Sequence, residues 1–268
     1  MPLASFPRRR AIAALGLFPW ITACSGDDKD DRDEPSEASR DRDELGRSYG
    51  PERLSSPRLD PSLVRLVARG NGTPNLLMRG NAPLENGRFA YDGLVAALRA
   101  AAGSDWPERF RIVDVCLMNE IVEGDEVDVE RRYWEAHPDR GRFIHHPIFG
   151  ALTDPADYPS ALRRTVERWS GLDRMDDLLR ELDSMLNTAA SDGVAQVLFV
   201  HCRAGRDRTG QTIASYDMRY QGRSYREAIS NAEQVAGRSL VRFSRYGTAW
   251  YAHKLADRLS LPTIGPIP

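Results

Sequence analysis

The feature that most constrains this chain is a buried strand that runs through a short loop straight into a helix. Val197-Leu198-Phe199-Val200 is an unbroken apolar run, the mark of a strand in the interior of a sheet. His201-Cys202-Arg203-Ala204-Gly205-Arg206-Asp207-Arg208-Thr209-Gly210 follows, and Thr209–Tyr220 reads as a helix stopped near Gly222. The same alternation recurs upstream. Asn75–Arg79 reads as a short strand, Tyr91–Ala102 as a helix with Leu94, Val95, Leu98 and Ala101 on one face, and Arg111–Leu117 as a strand rich in branched residues. Strands alternating with helices imply an α/β fold with a central, mostly parallel sheet flanked by helices.

The remaining elements are read in the same way. Glu120–Arg142 is polar and acid-rich and is expected to be an excursion from the sheet, and Phe143–Phe149 to contain another short strand. Leu162, Val166, Trp169, Leu172, Met175, Leu179, Leu182 and Leu186 recur at helical steps. They predict one long amphipathic helix or, given Gly171, a pair. Ser224-x-x-Glu227 is a capping box opening a further helix, and a last helical stretch is expected around Trp250–Leu259. The folded domain is expected to span 57–262.

Residues 1–23 look like an address rather than a fold. Arg8, Arg9 and Arg10 precede the short apolar run Ala11–Ile21, the layout of a secretory signal peptide. Ile21-Thr22-Ala23-Cys24 resembles the bacterial lipobox, which implies lipidation of Cys24. From Asp27 to Glu44 there are ten acids and four bases and almost no apolar residue, so 24–56 is expected to be a disordered, acidic linker carrying a membrane anchor. Ser25 stands where enteric inner-membrane lipoproteins carry aspartate, so an exported envelope protein of the outer membrane, facing the periplasm, is expected. No apolar run reaches the roughly 18–20 residues of a spanning helix. The net charge of −2 offers nothing to nucleic acid, and three cysteines are too few for a thiolate zinc cluster.

The loop after the strand carries the chemistry. Cys202 sits where a strand ends and a helix is about to begin, so the backbone N–H groups of 203–208 can turn inward as an anion nest. The helix dipole and the nearby arginines favour a thiolate there. Arg208 can fold its planar fork back over the nest and bind two oxygens of a phosphate. Gly205–Gly210-Gln211-Thr212 imitates a nucleotide-binding loop, but Gln211 stands where that loop needs lysine.

His201-Cys202-x5-Arg208-Thr209-Gly210 resembles the signature of the cysteine-dependent protein tyrosine phosphatase superfamily, closest to its dual-specificity and lipid-phosphatase branch. The resemblance implies that Cys202 is the nucleophile, that Arg208 is the phosphate clamp with Arg203, Ala204, Gly205, Arg206 and Asp207 around the phosphate, that Thr209 helps the thiolate leave, and that His201 orients the loop. It implies hydrolysis of a phosphorylated protein, phosphoinositide or inositol phosphate, with no metal or other cofactor. A phosphate-binding adaptor without turnover is the alternative of another class. The resemblance also calls for an aspartate acid on an upstream loop. Asp154 in His146–Pro159 is preferred, with Asp157 and Asp207 as rivals. Arg203 and Arg206 hint at a substrate with several phosphates. In some lipid-phosphatase relatives a cysteine on the matching strand bonds the nucleophile, which suggests Cys116–Cys202, although a merely buried Cys116 is the simpler alternative.

Overall fold

The computed structural model describes residues 57–166 and 174–267. The signal segment, Cys24 and the acidic linker lie outside the described residues, as do Trp169, Gly171 and Leu172 of the amphipathic stretch. The strands are β1 (Arg65–Arg69), β2 (Leu76–Asn81), β3 (Leu84–Glu85), β4 (Arg88–Phe89), β5 (Phe110–Cys116), β6 (Gly141–His145) and β7 (Ala195–Cys202). The helices are α1 (Tyr91–Ala102), α2 (Glu120–Ala136), α3 (Ser160–Val166), α4 (Met175–Asn187), α5 (Asp207–Tyr220), α6 (Tyr225–Ala236) and α7 (Arg242–Leu259).

Five strands form one sheet in the order β1-β2-β7-β5-β6. All neighbours are parallel except β1, which pairs antiparallel with β2 at the edge. The expected α/β architecture is therefore the observed one. β1 was not foreseen, because Arg-Leu-Val-Ala-Arg has only a weak alternation and its strand state comes from pairing with β2. The small β3–β4 hairpin turns through Asn86 (φ 50°) and Gly87 (φ 72°), the two left-handed residues that a tight hairpin turn requires.

Alternation along the central strand sorts its side chains onto two faces. Leu198, Val200 and Cys202 pack with Leu77, Val113 and Val115 beneath α4, α5, α6 and α7. Val197 and Phe199 pack with Leu76, Met78 and Ile112 beneath α1 and α2. Helix α4 delivers Leu178, Leu179, Leu182 and Leu186, each fully buried, and burying each contributes roughly 1.5–3 kcal/mol. The Ser224 capping box is present: Glu227 N donates to Ser224 Oγ and Ser224 N to Glu227 Oε2 (2.9 Å). Helix α7 begins eight residues earlier than the stretch read from Trp250.

Glu120–Arg142 is not an excursion. It is the 17-residue helix α2 followed by the start of β6. Its buried face is Glu123, Val127, Glu130 and Trp134, spaced at helical steps. Two of those four inward positions are glutamates, so the stripe does not read as apolar. Among the described residues no helix is long and apolar enough to cross a membrane.

Candidate active site

The carboxyl ends of β2, β7 and β5 meet where Cys202 ends the central strand, the usual place for a ligand crevice in a parallel sheet. The loop after Cys202 is held by main-chain contacts on both sides. Ala82 N donates to Arg203 O (3.3 Å) from the β2 side, and Leu117 N donates to His201 O (2.8 Å) from the β5 side. Gly205 has φ +66°, and a Cβ there would lie 2.6 Å from Asn81 N and Gly80 O. Only glycine lets the loop press onto the end of β2 while turning left-handed. Among the described residues no acceptor takes the backbone N–H of Ala204, Gly205, Arg206 or Asp207, and α5 begins directly after them. A row of unclaimed N–H groups at a helix N-terminus suits an anion.

Three side chains shape this cradle. Cys202 is buried at its floor. Arg208 reaches back as expected, but its guanidinium is caught by Glu123: Nη1 donates to Oε2 and Nη2 to Oε1, both at 2.6 Å. Glu123 sits at a non-helical kink in α2 (φ −128°, ψ 30°), and its Oε2 also accepts from Asn119 N (2.8 Å). A fork-to-fork pair fixes both the plane and the direction of the guanidinium while using two of its five N–H donors. Arg79, pointing from β2 to the same sheet face as Cys202, donates from Nη2 to Gly205 O (2.8 Å). Burial lowers it to about 10, while the nearby Cys202 and Asp217 pull it upward. Its positive charge therefore lies where a thiolate would form. Neither Glu123 nor Arg79 was anticipated. The signal for Arg79 was a charge inside an apolar strand, and for Glu123 an acid on the inward stripe of a helix.

Other expected residues lie elsewhere. Thr209 is fully buried, and its hydroxyl finds no hydrogen-bond partner among the described residues. Arg203 is not a loose rim charge, since its Nε pairs with Glu126 (3.1 Å). Asp207 is engaged by other groups: its carboxylate takes both Arg238 Nη atoms (2.9 and 2.7 Å) and Val241 N (2.9 Å), tying α5 to the start of α7. In this arrangement it serves as a structural clasp. Asp154 does not join the cradle either. Its Oδ1 accepts from Ala156 N (2.9 Å), capping a single 3-10 turn, and the neighbouring Thr153 O accepts from Trp250 Nε1 (2.9 Å) halfway along α7. Since α7 starts beside Asp207 and rises about 1.5 Å per residue, this loop has already been led away from Cys202. Asp157 is exposed in the same turn.

The Cys116–Cys202 pairing is contradicted by strand alternation. Cys116 is in register with His201, so the two share a face, and Cys202 is on the other. Cys116 packs with Ala82, Leu84, Met118 and Val127, whereas Cys202 belongs to the core beneath α5. The ring of His201 likewise points away from the loop. Nε2 lies 2.9 Å from Asp114 Oδ1 and 3.4 Å from Glu130 Oε2, so it is the residue's backbone rather than its ring that orients the loop. Burial opposes charging that ring, but Glu130 and Asp114 outweigh it and raise His201 well above its ordinary value.

No family model matches the chain, and no curated protein matches it. In shape it is similar to several solved structures. TpbA of P. aeruginosa is 17% identical, with a TM-score of 0.39 over 76% of this chain and 98% of that one. Kinase associated phosphatase, with its catalytic-site cysteine replaced by serine, is 14% identical, with a TM-score of 0.40 over 69% and 88%. PTPMT1 in complex with PI(5)P is 16% identical, with a TM-score of 0.36 over 72% and 97%.

Proposed function

We propose that this chain is a cysteine-dependent phosphatase of the tyrosine and dual-specificity kind, hydrolysing phosphate monoesters through a phosphocysteine. The observation that supports this most is the cradle: Cys202 at the floor, a left-handed Gly205 at its wall, and Arg208 held in plane by Glu123. In the first step the Cys202 thiolate attacks phosphorus, an S–P bond forms, and the ester oxygen leaves and takes a proton. In the second, water attacks phosphorus, its proton is lost, and inorganic phosphate and the thiolate are released. The loop N–H groups and Arg208 stabilise the charge spread over the equatorial oxygens in both steps.

The placement of the acids bears on the substrate. With Asp207 paired to Arg238 and Asp154 capping its own turn, neither of these candidate acids stands beside the leaving oxygen in this arrangement. A phenolate, whose conjugate acid has a pKa of about 10, leaves far more readily than an alkoxide. Phosphotyrosine-like aryl esters are therefore favoured over phosphoinositides, and the pairing of Arg203 with Glu126 removes one charge that a polyphosphate would use.

Export and lipidation at Cys24 belong to the same reading, supported by the arginine-led apolar segment and the lipobox-like Ile21–Cys24. Release of nitrophenol from an aryl phosphate tests the chemistry: Cys202→Ser should abolish it, and equal rates in both proteins would refute the mechanism. Wild-type turnover indistinguishable from buffer, with phosphate still bound, would favour the adaptor. Loss of palmitate labelling in Cys24→Ala tests the anchor.

A further inference from the structure

On the sheet face opposite the nucleophile, three elements bring together a set of donors that the proposed chemistry does not use. Cys116 ends β5, Glu130 lies on the inward stripe of α2, and His201 stands next to the end of β7. Their ligand atoms all lie within 4.8 Å of one another, and all three residues are fully buried. Asp114, two residues before Cys116 and so on the same face, sets its Oδ1 2.9 Å from His201 Nε2, while its Oδ2 accepts from Trp134 Nε1 (2.7 Å).

These groups are close but poorly satisfied. Both oxygens of Glu130, both ring nitrogens of His201 and Asp114 Oδ1 lack a well-aligned hydrogen bond, although the distances are short. Buried polar atoms are nearly always satisfied, and two buried carboxylates facing one imidazole leave a net negative charge that one cation cannot balance. We infer that Cys116, Glu130 and His201, with Asp114 beside them, form a binding site for a divalent metal ion of the zinc kind. The donor set is sulfur, imidazole nitrogen and carboxylate oxygen, which that ion accepts and which hard ions such as magnesium do not. Bonds of about 2.0–2.3 Å place tetrahedral ligand atoms about 3.3–3.8 Å apart, so the site needs to contract by roughly 1 Å. Asp114 Oδ1 is placed either to supply a fourth donor or to orient the His201 ring, and Trp134 fixes it. The ion would staple β5, α2 and β7 together directly behind the cradle. Without it, a proton can restore the balance, since burial pushes Glu130 up to about 7 against the pull of His201.

The site is internal, so loading is expected during folding, and the test uses the full chain with Cys24→Ser and Cys202→Ser, which leaves Cys116 as the sole thiol. This protein is inactive by design, so the result is independent of the phosphatase reading. It is unfolded with a chelator, dialysed, and refolded with cobalt(II). The expected result is one ion per chain, a thiolate-to-cobalt charge-transfer band in the near ultraviolet, bleaching by zinc, and a raised thermal midpoint. Glu130→Gln in the same background should weaken cobalt binding at least about tenfold while keeping the circular-dichroism spectrum. Absence of the band and of any midpoint shift would overturn the inference. So would a band that Glu130→Gln leaves at full affinity.

Discussion

Replacing Glu123 by glutamine tests the geometry of the cradle through one atom. The carboxylate makes two hydrogen bonds of 2.6 Å to Arg208 and one of 2.8 Å to Asn119 N, and its side chain is 2% exposed against 13% for Arg208. Glutamine keeps one acceptor but turns an NH2 group toward a guanidinium N–H, so one bond is lost and the other weakens from an ion pair to a cation bonded to a neutral carbonyl. Hydrogen bonds to charged groups contribute about 1.5–3 kcal/mol, so losing one and weakening its neighbour puts the loss of stability at about 2–4 kcal/mol. Breaking a buried pair outright costs about 3–5 kcal/mol, an upper bound here because glutamine fills the same space. For a domain of this size the thermal midpoint should fall by about 4–16 °C. The guanidinium also loses the partner that fixes its plane, and kcat/KM for an aryl phosphate should fall about 10- to 100-fold, or roughly 1.4–2.7 kcal/mol of transition-state binding. Thermal unfolding and nitrophenol release, each beside Glu135→Gln on the exposed side of α2, read both numbers. Unchanged turnover would show that Arg208 needs no holder. Increased turnover would show that Glu123 competes with phosphate instead of aiming the guanidinium, and either result refutes the argument.

Gly205→Ala should fold with a displaced loop or fail to fold, because a left-handed φ and a Cβ 2.6 Å from main-chain atoms of β2 cannot both be relieved; turnover should fall at least about a hundredfold, and wild-type turnover would disprove the packing. Asp154→Ala should remove a turn cap costing about 0.5–2 kcal/mol in urea unfolding yet leave aryl phosphate turnover within about threefold, whereas a hundredfold loss would return the general-acid role to Asp154. Asp176 is held below the usual carboxylate range: burial pushes it upward, but Lys254 and Arg219 outweigh that. A depressed carboxylate contributes stability above its unfolded-state pKa and loses it as pH falls through the folded value. Asp176→Asn should therefore lower the urea midpoint at neutral pH, and the gap to wild type should close as pH drops below about 4; a gap that persists at low pH would refute the pairing.

The cradle was legible in the sequence because it is contiguous. A buried strand, a short loop and a helix start are local matters of backbone preference, so the nest around Cys202 and the reach of Arg208 could be read from the chain, while their roles came from the resemblance of the motif. What stands around the cradle comes from distant segments, and no local rule reports it. Glu123 reaches Arg208 from 85 residues away and Arg79 reaches Gly205 from 126, and each was hidden in a pattern read for something else. Helix α2 escaped because half of its buried face is glutamate, which lowers the apolar periodicity that reveals helices. The expected bond between Cys116 and Cys202 failed for a reason that only strand register supplies: pairing Cys116 with His201 sends neighbouring side chains to opposite faces. Chain order determined where Cys202 and its nest of N–H groups lie, while tertiary packing decided which charges hold the guanidinium, which aspartates are spent on caps and clasps, and which buried donors meet behind the sheet, because those depend on distances that sequence separation does not encode.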